Sequence, residues 1–165
     1  MKAVCKYLLS VLICLCAAMN LSAQSVSYTF KPFGTQGGRM SFTVAKSKQD
    51  ATCYIVVNVS TERLFFLNNP TMKLTTFNDE TLSFKGQLVG NDTNPTLALR
   101  FYFVFPMTKI NSTAIFPVTP EEFEKINSGV SQIFLSTTPL QHEKTFKKDK
   151  IGKKLYEFYS KMKDE

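Results

Sequence analysis

Between Val26 and Phe105, apolar and polar side chains alternate with a period of two rather than 3.6, the spacing of strands with one buried and one wetter face. The clearest stretch is 96–105, where Leu97, Leu99, Phe101, Phe103 and Phe105 alternate with Ala98, Arg100, Tyr102 and Val104. In 81–88, Leu82, Phe84 and Leu88 fall opposite Ser83, Lys85 and Gln87. Met40, Phe42 and Val44 alternate with Ser41, Thr43 and Ala45, and Val26, Tyr28 and Phe30 with Ser27, Thr29 and Lys31. Further strands are predicted at 52–59, 62–67, 71–77, 113–118 and 131–137, with a last short one near 143–147. The segments 52–59 and 62–67 are apolar on both faces, which places them centrally.

Turn-forming residues separate these runs: Phe33-Gly34-Thr35-Gln36-Gly37-Gly38, Asn78-Asp79, and Gly90-Asn91-Asp92-Thr93-Asn94-Pro95. About nine short strands with short connections predict a β-rich α+β chain built as an antiparallel sandwich or rolled sheet.

Two helices interrupt the alternation. Thr119-Pro120-Glu121-Glu122 reads as a helix start, with Thr119 as N-cap, Pro120 at the first helical position and Glu122 completing a capping box. This short helix lies near 120–127, carries Phe123 and Ile126 on one side and stops at Gly129. The second runs near 150–163 with Asp149 as its cap, and Ile151, Leu155, Phe158, Tyr159 and Met162 form one apolar stripe flanked by lysines.

The N-terminus changes the picture by implying export. Lys2 and Lys6 precede an apolar run from Tyr7 to about Met19, and Leu21-Ser22-Ala23 supplies small residues beside a cut before Gln24. The run is short for a membrane span, which takes about 20 residues. Ile13 and Leu15 precede Cys14 and Cys16, which argues against a lipid-anchoring cut. Residues 1–23 are therefore expected to be a cleaved signal peptide. Residues 24–165 then form a single globular domain that is soluble, without a transmembrane segment, and periplasmic or extracellular. Cys5, Cys14 and Cys16 leave with the leader, so the core must stand without an internal disulfide and Cys53 remains as a lone strand residue.

The chain carries a formal charge of +7, two units of which are the leader's Lys2 and Lys6. Much of the rest gathers in Lys144, Lys147, Lys148, Lys150, Lys153 and Lys154. In an exported protein this excess points away from nucleic acid. It points to an anionic surface or another envelope protein met through the Lys144–Lys154 region.

Candidate chemistry is sparse. His142 is the single histidine; it falls after Pro139-Leu140-Gln141 and reads as a solvated turn residue. No serine lies in a nucleophile-elbow pattern, and one histidine with one cysteine falls short of a zinc ligand set. Asn91, Asp92 and Asn94 offer oxygen ligands without calcium-loop spacing and read as a hairpin loop. Asp79-Glu80 and the group Glu121, Glu122 and Glu124 are explained by a turn and by a helix N-terminus. Gly34, Gly37 and Gly38 lie between strands, where no helix is available to hold a phosphate. The chain has no Trp and 15 Phe, which lowers the odds of sugar stacking; Tyr28, Tyr54, Tyr102, Tyr156 and Tyr159 would have to serve. Sequons at Asn58, Asn91 and Asn111 matter only in a glycosylating host, and Asn58 falls in a predicted strand.

Neither catalytic residues nor a metal or cofactor site emerge, and the sequence leans away from an enzyme. The expected role is an exported, non-catalytic interaction or structural module of the cell envelope or extracellular space. Two alternatives stand beside it: a carrier of an apolar ligand such as a lipid, suggested by the phenylalanines, and a hydrolase with dispersed catalytic residues using His142 or a carboxylate as base. The C-terminal helix could cover its own sheet or lie on a membrane or partner; the apolar stripe favours the first.

Overall fold

The computed structural model describes residues 24–32, 37–47, 51–62, 65–100 and 103–163. The expected leader and the Phe33–Gln36 part of the first predicted turn lie outside these residues.

The alternating segments form nine strands: β1 (Val26–Phe30), β2 (Gly38–Lys46), β3 (Cys53–Thr61), β4 (Phe66–Thr76), β5 (Thr81–Lys85), β6 (Gln87–Arg100), β7 (Phe103–Val118), β8 (Val130–Thr138) and β9 (His142–Thr145). Helix α1 (Pro120–Ile126) lies between β7 and β8, and α2 (Gly152–Lys163) follows β9. The strands make a five-stranded sheet in the order β1-β2-β3-β7-β6 and a four-stranded sheet in the order β5-β4-β8-β9. Every pairing is antiparallel. The two sheets pack face to face as a β-rich sandwich. Among the described residues no helix is long and apolar enough to cross a membrane.

The period-two pattern explains the core. Met40, Phe42 and Val44 of β2, Ile55, Val57 and Val59 of β3, and Phe116 and Val118 of β7 face Met72 and Leu74 of β4 and Ile133 and Leu135 of β8. Each side chain so buried stabilises the fold by about 1.5–3 kcal/mol relative to exposure, before entropy is counted. Of the two-sided apolar runs, 52–59 is central as expected, since β3 sits mid-sheet; of 62–67 only Phe66 and Leu67 are strand, and they open β4, which continues through 71–76 inside the second sheet. The join shows as a register irregularity between Leu67 and Met72, where Asn69 has a φ of 43°.

Three expected segments are corrected here. The segment 81–88 is not one strand, because the chain leaves the second sheet at Gly86 and enters the first. A Cβ on Gly86 would lie 2.6 Å from the Phe116 ring and 2.8 Å from the Ile115 carbonyl oxygen, so only glycine permits the crossing. Leu88, expected on the buried face, is 42% exposed beyond that break. The segment 90–95 is not a loop but part of β6, and 96–105 is shared between β6 and β7, with Arg100 paired to Phe103. The physical reason is edge position. Among the described residues β6 has only β7 beside it, so its polar residues can face water and Pro95 has no second ladder to break. Asn91 Oδ1 accepts from Ser112 Oγ at 2.5 Å, and Gly90 absorbs a register shift. Beyond Ile110, where the β3–β7 pairing ends, 94–100 and 103–109 pair with each other and no third strand joins them among the described residues.

Both helices start as their sequences dictate. Thr119 caps α1 through a reciprocal capping box with Glu122, and Phe123 and Ile126 are buried. Ahead of α2, Ile151 is buried, and Leu155, Phe158, Tyr159 and Met162 continue the same buried stripe. The stripe covers the protein's own core. Tyr159 stacks on Phe123 at 4.2 Å between ring centroids, and Lys46 Nζ at the end of β2 donates to the Met162 carbonyl.

Candidate functional site

Among the described residues β1 and β9 are edge strands of the two sheets, and the Tyr28–His142 contact puts these edges on the same side of the sandwich. Their inward side chains meet there. Tyr28 of β1 and His142 of β9 lie 2.9 Å apart between Oη and Nε2, and the Tyr28 hydroxyl also lies 3.1 Å from Met40 Sδ. When His142 carries its proton on Nε2, it donates to Tyr28, whose hydroxyl in turn donates to Met40. Phe30 and Phe65 pack edge-on against the imidazole, and Phe146 packs edge-on against Tyr28.

His142 is therefore not the solvated turn residue expected. It is 7% exposed, inside β9 and opposite Leu135. Its alternating register places it inward, and Tyr28 satisfies it there. Burial, with a smaller contribution from nearby Lys144, lowers its pKa from 6.5 to about 4, so the ring is neutral at physiological pH. Burial likewise raises the Tyr28 phenol above its ordinary value. The pair is an uncharged polar bridge between two sheets.

Outside this bridge lies an open cleft of about 660 Å³. Tyr28 and Phe146 line it with aromatic surface, and Ser27, Thr29 and Thr145 add hydroxyls. The remaining lining residues are cationic: Arg39 from β2 and Lys144, Lys147, Lys148 and Lys150 from β9 and the segment after it. No carboxylate is among them. Asp149 lies in that segment, but its oxygens already accept from the backbone N–H groups of Val130, Ile151, Gly152 and Lys153. Burial opposes the Asp149 charge, yet those donors outweigh it and hold the carboxyl below the ordinary aspartate value. Asp149 thus anchors the lysine-rich segment both to the start of β8 and to the first turn of α2.

The six-lysine region is divided by the fold. Four of its lysines line the cleft; Lys153 and Lys154 begin α2, where Lys154 pairs with Glu157 at 2.8 Å. A smaller cleft of about 310 Å³ lies on the other side of His142, between Phe30, Lys31, Phe65 and Leu140. Arg39 and the Tyr28–His142 contact escaped the sequence reading, since they come from positions far apart in the chain. Tyr28 was visible only as one tyrosine among several.

The other candidates stay apart. Cys53 is half-buried in β3, and burial pushes its thiol up while Lys46 opposes. Asp79 occupies a turn with φ of 60°, Glu122 closes the capping box, and Glu124 accepts from Tyr156. Asn58 and Asn91 are hydrogen-bonded within paired strands, and Asn111 lies in β7. Gly38 starts β2 against the Phe30 ring and does not belong to a loop. Among the described residues, no three His, Cys, Asp or Glu side chains are grouped to hold a metal. Comparison with protein-family models, with curated proteins and with solved structures finds no match.

Proposed function

We propose that this protein is an exported, non-catalytic interaction module of the cell envelope or extracellular space whose basic cleft receives an anionic partner. The observation that carries the reading is the convergence of Arg39, Lys144, Lys147, Lys148 and Lys150 on one cleft without a counter-charge in its lining. Five like charges on one concave surface raise the local concentration of anions and steer their approach, and salt weakens that attraction.

Two observations weigh against the alternatives. A general base works best with a pKa near the working pH, whereas His142 is lowered to about 4, buried, and engaged with a tyrosine whose own proton is held. Eight of the 15 phenylalanines, Phe30, Phe42, Phe65, Phe84, Phe116, Phe123, Phe146 and Phe158, are packed in the core. An apolar carrier would need such residues to face a ligand.

The test is retention on a sulfated polysaccharide support, eluted with salt. The Lys147→Glu/Lys148→Glu variant is expected to elute at clearly lower salt than a charge-matched Lys85→Glu/Lys153→Glu control, whose lysines lie outside the cleft lining. Equal elution of the two variants would remove the cleft as the binding face. Export is tested by the intact mass of the protein recovered from its host, which is expected to begin at Gln24.

A further inference from the structure

We propose, building on the anionic-partner reading of this cleft, that its ligand is an extended acidic polypeptide segment that adds as a strand to the free edge of β1. The cleft runs along Ser27, Tyr28 and Thr29, three consecutive residues of β1, and its opposite wall is Lys144 to Lys148 at the end of β9. Among the described residues each of these strands has a neighbour on one side only, β2 for β1 and β8 for β9. A strand edge presents backbone N–H and C=O groups in a row at strand spacing. Another polypeptide in extended conformation matches that row and a sugar chain does not. Such strand addition takes its affinity from main-chain hydrogen bonds and its specificity from side chains on either hand.

Charge sets which polypeptide fits. Lys144, Lys147, Lys148 and Lys150 line the cleft with β1, so an incoming strand with carboxylates on alternate positions is attracted and a basic one is repelled. The same lysines oppose pairing with a second copy of this chain, which is itself net positive with or without the leader's two lysines. β1 rather than β9 is the template because it is the longer edge, five residues against four, and because the cations stand across from it.

The experiment uses the purified protein and a synthetic peptide of about ten residues alternating Glu and Thr, a length that covers one strand. Two further peptides of the same sequence carry backbone N-methyl groups on every second residue, in the two opposite registers. Charge is unchanged, but only one register loses the N–H groups that would face β1. The expected result is binding of the parent peptide with slowed hydrogen exchange at Val26–Phe30. One methylated register should bind at least about tenfold more weakly and the other comparably, a difference worth about 1.4 kcal/mol. Equal binding of all three peptides would overturn strand addition while leaving an anion-binding cleft. Binding of the sulfated polysaccharide without any peptide would likewise overturn the peptide partner and spare the underlying reading. If neither peptide nor polysaccharide binds, both proposals fall.

Discussion

His142 is the residue through which mild acid reaches the fold. Its imidazole is held neutral between two sheet edges, with a pKa lowered from 6.5 to about 4. The unfolded chain therefore binds the proton more readily than the folded one. The stability this site contributes is present above about pH 6.5 and is lost as pH falls toward 4, to a total of about 3 kcal/mol. Urea unfolding between pH 7.5 and 4.5 is expected to show that loss in the native protein. His142→Phe, which keeps a ring against Phe30 and Phe65, should show a flatter profile over the same range. Parallel profiles would mean that the imidazole is not held neutral. Asp149 works at lower pH and with the opposite ionic form. Its depressed pKa stabilises the fold above the ordinary aspartate value, and that contribution disappears as pH falls below about 4. At pH 7, Asp149→Ala is expected to cost about 2 kcal/mol in chemical unfolding, and Asp149→Asn less because an acceptor oxygen remains.

At the scale of the element, α2 shows how packing overrides propensity. Its first residue, Gly152, would ordinarily gain up to about 1 kcal/mol on replacement by Ala in a helix interior. Here a Cβ would lie 2.6 Å from the Ile126 carbonyl oxygen and 2.7 Å from the Val130 amide nitrogen, both backbone atoms of the α1–β8 junction. Gly152→Ala is therefore expected to lower the thermal midpoint and to destabilise by about 2 kcal/mol, while Lys153→Ala, exposed beside it, stays near neutral. The stripe from Ile151 to Met162 and the capping box at Thr119 were legible in the sequence because helical spacing and cap chemistry are local. The strands at β2, β3 and β8 were legible for the same reason. The β5–β6–β7 region was not. There the residues Gly90 to Pro95 carry turn chemistry, yet they lie on a sheet edge that tolerates polar side chains and a proline. Whether a strand has one neighbour or two is decided by segments far away, and alternation alone does not encode it. His142 was misread for the same reason, since its partner Tyr28 lies 114 positions earlier in the chain. Of the candidate site, the lysine cluster was readable as composition. Its division into four cleft residues and two helix residues followed from where Asp149 ties the chain down.

At the scale of the whole molecule, the two sheets make the sandwich and the long β6–β7 hairpin exceeds it. The paired segments 94–100 and 103–109 have no third strand beside them among the described residues. Replacing 94–109 with a tight turn between Thr93 and Ile110 is expected to leave the unfolding free energy within about 1 kcal/mol of the native value, because among the described residues no third strand pairs with this part of the hairpin. A large loss of stability would show that the hairpin end serves the core. The two long sides of the sandwich are joined in different ways. On one, β5 runs into β6 through Gly86, so the sheets share a continuous main chain. On the other, β1 meets β9 through the Tyr28–His142 contact and the aromatic rings around it. The molecule is in this sense a book with a covalent spine and a non-covalent clasp. A force that pries the sheets apart is borne by peptide bonds at the spine and by the Tyr28–His142 pair with its ring contacts at the clasp. Mechanical opening would thus begin along the margin that holds the lysines.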